Sequence, residues 1–498
     1  MNITLPRIIR HQLRRQLAIF LGALLACVTF QVRAANLETV KIQLDLKTTI
    51  GQISRDFLGF GYETSAVAQA NYFNSKNAAL IQLYRNLSSQ GLIRIGGNVS
   101  DHTQYVPDGV PVVHSDTGVT IINKTNLADL AGFCRATGWK VMWGLNLGTG
   151  SKAEAVAEAL AVSAALGNHL QSFEIGNEVD LHGGYAGDNH DYDSYHSNYL
   201  AYKSAIRSVL PQAAFSGPDV AGNIGWLKSF AGTESKDIKL LTHHYYRTGA
   251  RTPEATIENL LKRDVGWDSR MAQLQRISAD SGVLFRINEV NSFYGGGKPD
   301  VSDTFASALW CLDYMFVLAS YGCDGVNMET DINHMAWISH YSPIVHNAAM
   351  QCSACPEYYG ILAFAQSGHG DLLKVNLNKG DINLSAYATK DDQGVISLTV
   401  INQDLTQGAE LEIRQPDGCG KPEAFRLTAP SVESKDQVTF GGAEVSAQGK
   451  WQPKSPLKVP VKTGIARLNV PKASAVLVRW RQNQSNTSMP NLNTAHQK

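Results

Sequence analysis

The sequence predicts an α/β chain, a (β/α)8 TIM barrel followed by a C-terminal antiparallel β-sandwich. Three observations carry this. Between about residues 56 and 367, short apolar runs alternate with longer stretches whose apolar residues recur at helical spacing. Eight such pairs suit a closed barrel better than an open sheet. After His369 the pattern changes to short segments of period-two alternation separated by Gly, Asp, Asn and Pro. With 498 residues the chain is also too long for one ordinary core, so two domains, or a large barrel with an appendage, are expected.

Residues 1–34 read as an export signal. Arg7, Arg10, Arg14 and Arg15 precede an apolar run from Leu17 to Phe30, and Val32-Arg33-Ala34 offers a signal-peptidase site, with cleavage after Ala34. The run is too short, and too closely followed by that site, for a membrane span. Leu24-Leu25-Ala26-Cys27 resembles a loose lipoprotein box, and Arg14-Arg15 a poor twin-arginine signal, so lipid anchoring at Cys27 stays open beside release into the periplasm or medium. Residues 35–55 contain a strand-like stretch, Thr39 to Leu46, that can pair with the later β-domain.

The barrel is assigned to 56–369. Its strands are read as runs ending at Glu63, Gly97, Asn146, Asn177, Asp219, Tyr246, Glu289 and Glu329. Amphipathic stretches between them include Asn77 to Ser89, Glu154 to Leu166, Tyr195 to Leu210 and Ser302 to Tyr321. The sandwich takes 370–481, from VNLNK and INLSAYATK to IARLNVP. Residues 482–498 are polar and poor in apolar side chains, the composition of a disordered tail.

Composition narrows the function classes. Hydrophobic residues at 44% and charged residues at 18% indicate a packed globular chain. Without the signal, 39 Lys and Arg face 44 Asp and Glu, a net charge near −5, and no basic run remains. Capture of nucleic acid is therefore disfavoured. Six cysteines also remain, Cys134, Cys311, Cys323, Cys352, Cys355 and Cys419. The CSAC stretch has no second pair at zinc-site spacing, so it reads as a local disulfide or two free thiols. Nothing in the sequence fixes an oligomeric state.

Barrel active sites sit at the C-terminal ends of the strands. The residues there are polar beyond what packing needs: Glu63, Arg94, Asn98, Asn146, Asn177, Glu178, His243, Tyr245, Glu289 and Glu329. A single glutamate at a strand end is ordinarily a solvated turn residue. Glu178 and Glu289, however, each follow an asparagine, at the ends of the fourth and seventh strands. Two carboxylates facing each other across a barrel mouth are what glycosidic bond cleavage requires: one protonates the leaving oxygen, the other attacks or activates water. Glu329 is left as structural or substrate-loop.

These residues resemble the clan A retaining glycoside hydrolases. More narrowly, RIGGN (Arg94 to Asn98), THHYY (Thr242 to Tyr246) and NEVNSFYGGG (Asn288 to Gly297) resemble glycoside hydrolase family 79, the β-glucuronidases and heparanases. The resemblance implies Glu178 as general acid/base, Glu289 as nucleophile, and Asn177 bonded to the sugar 2-hydroxyl. It also implies Glu63 and Asn98 on other hydroxyls, Arg94 bracing the nucleophile, and Tyr294, Gly295, Gly296 and Tyr341 on a uronate carboxylate. His243 and Tyr245 share a strand face and are expected to enter the mouth, Tyr245 on Glu289, while His244 and Tyr246 face the helices.

Gly295-Gly296-Gly297-Lys298 lacks the spacing of a phosphate loop, and DLHGGYAGDNHDYDSYH after Glu178 fits no metal pattern. Neither metal nor cofactor is expected. The expected substrate is a glucuronide-containing glycoside or oligosaccharide, with exo-action favoured because basic clusters for a sulfated polymer are missing. An endo-acting, heparanase-like enzyme and a non-catalytic carbohydrate-binding barrel are the alternatives.

Overall fold

The protein is described from a computed structural model, in residues 37–107, 118–181, 191–332 and 339–482. The expected export signal with Cys27, most of the tail, and parts of the loops after Glu178 and Glu329 lie outside these residues.

The first strand, β1 (Glu38–Ile53), precedes the barrel. The barrel strands are β2 (Gly59–Glu63), β3 (Leu92–Gly96), β4 (Lys140–Leu145), β5 (Leu170–Ile175), β6 (Gly217–Val220), β7 (Leu241–Gly249), β8 (Phe285–Tyr294) and β9 (Gly325–Glu329). All are parallel and pair in the order β5-β4-β3-β2-β9-β8-β7-β6. The ring closes between β5 and β6, where Phe173 N donates to Ala214 O and Ser216 N to Phe173 O, both at 2.9 Å. The fourth and seventh barrel strands are thus β5 and β8.

One helix of ten residues or more follows each barrel strand: α1 (Ala78–Leu87), α2 (Lys124–Thr137), α3 (Lys152–Leu166), α4 (Tyr192–Val209), α5 (Ile224–Glu234), α6 (Val265–Ser281), α7 (Phe305–Ser320) and α8 (Pro356–Ser367). Local sequence sets their ends. Ser151 Oγ accepts from Glu154 N while Glu154 Oε2 accepts from Ser151 N, a capping box that starts α3. Gly282, at φ 71°, stops α6 in the left-handed conformation that glycine adopts without strain.

The C-terminal strands are β10 (Gly370–Asn378), β11 (Leu384–Lys390), β12 (Ile396–Asn402), β13 (Ala409–Arg414), β14 (Glu423–Thr428), β15 (Thr439–Phe440), β16 (Leu457–Lys458), β17 (Val461–Lys462), β18 (Ile465–Val470) and β19 (Ser474–Trp480). With β1 they form one eleven-stranded sheet. β1 pairs antiparallel with β10, Ile42 opposite Leu377, and parallel with β13, Ile42 opposite Ile413. Strands far apart along the sheet feed one apolar cluster, Val40 and Ile42 of β1 with Leu398 of β12, Ile413 of β13 and Val478 of β19, so the sheet folds over its own core.

A second face of β12 and β19, carrying Ile401 and Leu477, joins the barrel core. α7 lies between the two layers and is buried on almost every side. Phe316 stacks on Tyr387 at 4.7 Å, and Asp313 Oδ1 accepts from Tyr387 Oη at 2.9 Å, fixing barrel to sheet. All six cysteines among the described residues are free thiols, so the two of the CSAC stretch are not joined.

Candidate active site

A cavity of about 690 Å³ opens at the C-terminal ends of the barrel strands. Glu63, Asn98, Glu178, Glu289, Tyr294, Gly295, Gly296 and Tyr341 all line it, together with Tyr246, Glu329 and Asp331. Five of these are acids and none is Lys or Arg. Asn146, at the end of β4, is not among them. Its amide bonds Thr103 O and the backbone of Thr149 and Gly150, stitching a loop.

Glu178 owes its position to the turn after β5. Gly176 takes φ 84°, and a Cβ there would meet Val179 at 2.8 Å and Leu147 at 2.9 Å. Glu178 itself takes φ 46°, a conformation costly for a side-chain-bearing residue. Asp180 pins the turn by accepting from Ala221 N, Gly222 N and Asn223 N at 2.8, 3.0 and 2.8 Å. Asn177 reaches inward as well, donating from Nδ2 to Asn98 Oδ1 at 3.1 Å and accepting at Oδ1 from Arg94 at 2.6 Å.

On β8 the pairing to both neighbours slips next to Glu289. Regular alternation would send Asn288 and Glu289 to opposite faces; the irregularity brings both into the barrel. Asn288 Nδ2 donates to Glu174 Oε1 at 2.9 Å and also to Asp219. Glu289 accepts from Arg94 Nη1 at 2.9 Å on Oε2 and from Tyr246 Oη at 2.9 Å on Oε1. β8 then continues to Tyr294, past the strand end read at Glu289. The turn behind it places Gly295 and Gly296 at φ 86° and 84°.

The alternation expected in THHYY is present with its phase reversed. His244 and Tyr246 enter the mouth, and His243 and Tyr245 face the helices. Tyr245 Oη donates to Asp264 at 2.8 Å, and its ring packs 4.1 Å from Trp267 of α6 and 5.1 Å from Tyr314 of α7. His243 lies 5.8 Å from the same indole. Alternation fixes a period but not which face is inward. The clue was Leu241, in phase with His243 and Tyr245 and buried in the core among the helices.

Beneath the mouth lies a buried ionic cluster. Arg94 contacts Asp219 Oδ2 at 2.6 Å, Glu289 Oε2 at 2.9 Å and Glu174 Oε2 at 3.4 Å. Burial opposes its charge, but these carboxylates hold it ionised. His244 Nε2 lies 2.8 Å from Asp219 Oδ1, and its Nδ1 lies 3.1 Å from Glu178 Oε1 and 3.7 Å from Glu289 Oε2. Asp219, Glu174, Asn288, His244 and Tyr246 were not expected in the site from the sequence; His244 and Tyr246 were expected to face the helices. An acid inside the apolar run SFEIGN was the one visible signal, at Glu174.

The ionisations differ sharply across this small volume. Burial pushes Glu63 up to about 8, with the charge of Glu289 adding to it. Burial, with Glu289 and Glu63, likewise holds Glu329 well above the carboxylate range. Glu178 moves the other way: burial favours its neutral form, but the hydrogen bond and charge of His244 draw it below the usual range.

The reactive oxygens of Glu178 and Glu289 and a nitrogen of His244 lie within 4.8 Å of one another, close enough to suggest a cation site among the described residues. Both His244 nitrogens and both Glu289 oxygens are already engaged, and the Arg94 guanidinium adjoins them. The trio is better satisfied as a hydrogen-bonded network than as a ligand set.

The glycosyl hydrolase family 79 N-terminal domain matches residues 65–315, and the C-terminal beta domain of the same family matches 381–477. The chain belongs to glycosyl hydrolase family 79. Among family relatives it is 27% identical to a beta-glucuronidase of Aspergillus niger over 366 residues, 64% of this chain and 66% of that protein. It is 29% identical to heparanase of Rattus norvegicus over 214 residues, 41% of this chain and 34% of that one. A 4-O-alpha-L-rhamnosyl-beta-D-glucuronidase from Fusarium oxysporum shares the fold, with a TM-score of 0.71 at 19% identity over 88% of this chain and 99% of that one. No helix among the described residues is long and apolar enough to cross a membrane.

Proposed function

We propose that this chain is an exported retaining β-glucuronidase acting on a terminal, β-linked glucuronic acid. The observation that carries the reading is the spacing of two carboxylates held in unlike surroundings. One oxygen of Glu178 and one of Glu289 approach within 4.8 Å, a close approach that suits the carboxyl pair of a retaining glycosidase, set roughly 5–5.5 Å apart.

Glu289, held by Arg94 and Tyr246, serves as nucleophile. Glu178 protonates the leaving oxygen and later activates water, and Asn177 takes the 2-hydroxyl. Tyr294, Tyr341 and the backbone of Gly295 and Gly296 supply donors for the uronate carboxylate in a cavity whose described lining holds no Lys or Arg. The beta-glucuronidase relatives support the substrate class. Exo-action rests on the lack of Lys and Arg among the described residues of the cavity lining, where a sulfated polymer would need them. Export rests on residues 1–34 and is checked by N-terminal sequencing of the secreted protein.

The test is hydrolysis of p-nitrophenyl β-D-glucuronide beside the glucoside, galactoside and xyloside. A clear preference for the uronide is expected; equal rates would refute the substrate class. Azide should restore turnover to Glu178→Ala as a β-glycosyl azide and should fail to do so for Glu289→Ala. Product lengths from a heparin-derived oligosaccharide separate exo from endo action.

A further inference from the structure

His244 stands in a line of groups running from the barrel interior to Glu178. Asp219 touches Nε2 at 2.8 Å and Glu178 touches Nδ1 at 3.1 Å, with the ring 1% exposed. Asp219 is anchored in turn by Arg94 Nη2 at 2.6 Å and by Asn288, and its own N–H donates to Thr242 Oγ1 at 2.9 Å. Each end of the line is a non-glycine residue in the left-handed region, Glu178 at φ 46° and Asp219 at φ 64°. Such conformations are costly and persist where the surroundings impose them. Here they aim two carboxylates at one imidazole. A neutral ring would turn a lone pair toward one of those oxygens; only a ring protonated on both nitrogens satisfies both.

We propose that His244, held by Asp219, is a positioning residue that stores the proton Glu178 delivers to the leaving group. The inference rests on the glycosidase reading above and deepens it. At rest the imidazolium donates from Nδ1 to Glu178 and from Nε2 to Asp219. On reaction the Nδ1 proton passes to Glu178 Oε1, leaving a neutral Nε2–H ring bonded to Asp219. Glu178 gives that proton to the glycosidic oxygen as the C1–O bond breaks and Glu289 bonds C1, and the alcohol departs.

Glu178 is then a carboxylate facing the bare lone pair of Nδ1, which makes it a stronger base. It takes a proton from the water that attacks C1 and displaces Glu289, and that proton returns to Nδ1. The sum is one water added across the glycosidic bond. Around the ring, Glu289 of β8 lies 3.7 Å from Nδ1, Glu174 of β5 and Arg94 of β3 lie beyond Asp219, and Tyr246 follows on β7. Burial opposes the charged ring, yet Glu289 and Asp219 hold it well above the ordinary imidazole range.

The test compares kcat/KM against pH for the wild type, Asp219→Asn and His244→Gln on two substrates. Phenyl β-D-glucuronide needs a proton on its leaving group, and 2,4-dinitrophenyl β-D-glucuronide does not. In both variants the phenyl rate should fall by about 100-fold or more, the dinitrophenyl rate by less than about tenfold, and the alkaline limb should move at least about one pH unit toward acid. Equal losses on both substrates with an unmoved limb would overturn the proposal.

Nitrogen-15 NMR of the wild-type protein decides the matter even where a variant does not fold. Two protonated His244 nitrogens at pH 7 are expected, and a single protonated nitrogen would overturn the proposal. A wild type that cleaves neither glucuronide refutes the substrate reading instead, and the NMR result still judges the stored proton.

Discussion

Tyr246 donates its phenolic proton to Glu289 Oε1 at 2.9 Å while Arg94 holds the other oxygen of the same carboxylate. The two donors fix the plane of the carboxylate. Tyr246→Phe should lower kcat/KM by about 10- to 100-fold, the range of a lost hydrogen bond to a charged group. Steady-state kinetics on p-nitrophenyl β-D-glucuronide gives the number.

Tyr245 supplies the contrast. Its hydroxyl is on Asp264 and its ring is packed against α6 and α7. Tyr245→Phe should cost about 1 kcal/mol of stability with kcat/KM within severalfold of wild type. A melting curve and the same kinetic assay read the two effects. Loss of activity like that of Tyr246→Phe would mean the strand face is assigned wrongly.

Glu63 is pushed up to about 8 by burial and by Glu289, so near neutral pH it carries a proton in a cavity already rich in acid. As pH rises through that value, a new negative charge appears where an anionic sugar must bind. KM for the glucuronide should therefore climb above about pH 8, with kcat changing less. Glu63→Gln, which cannot ionise, should flatten that rise in a KM–pH profile.

Glu158 makes a similar prediction for stability. Buried in α3, it is pushed up to about 8 by desolvation, its hydrogen bond from Trp143 Nε1 at 2.8 Å pulling the other way. Unfolded, it returns to about 4.5. The native state therefore holds a proton between these values, and its stabilising effect, full below about 4.5, is lost as pH rises through about 8. Glu158→Gln keeps an acceptor for the indole without a charge to desolvate. Its melting temperature should match wild type near pH 4.5 and exceed it at pH 8.5, by several kcal/mol in stability.

Gly97 takes φ 71°, and a Cβ there would meet the Glu63 carboxylate at 2.2 Å. Gly97→Ala should cost about 1–3 kcal/mol in backbone strain and displace Glu63 from its bond with Val99 N. A raised KM together with a lowered melting temperature is the expected pair of readings.

The barrel was legible in the sequence because each strand is a short apolar run with a polar residue at its end, and because helical spacing follows each one. Glu178 and Glu289 were visible for the same reason. What escaped was set by geometry that leaves little mark in the sequence. The slip in β8 that puts Asn288 and Glu289 on one side depends on its neighbours. The phase of β7 depends on which face meets Trp267 and Tyr314. Asp219 was read only as the end of its strand, and its meaning comes from Arg94 and His244 beneath it.

The earliest strand of the chain has the latest partners. β1 gains its backbone pairing from β10 and β13, on the far side of the whole barrel in sequence. On a ribosome it emerges as an unpaired edge and stays one until the last quarter of the polypeptide is made. The sheet therefore cannot close around β1 before β10 and β13 have been made, long after the barrel's own strands have left the ribosome.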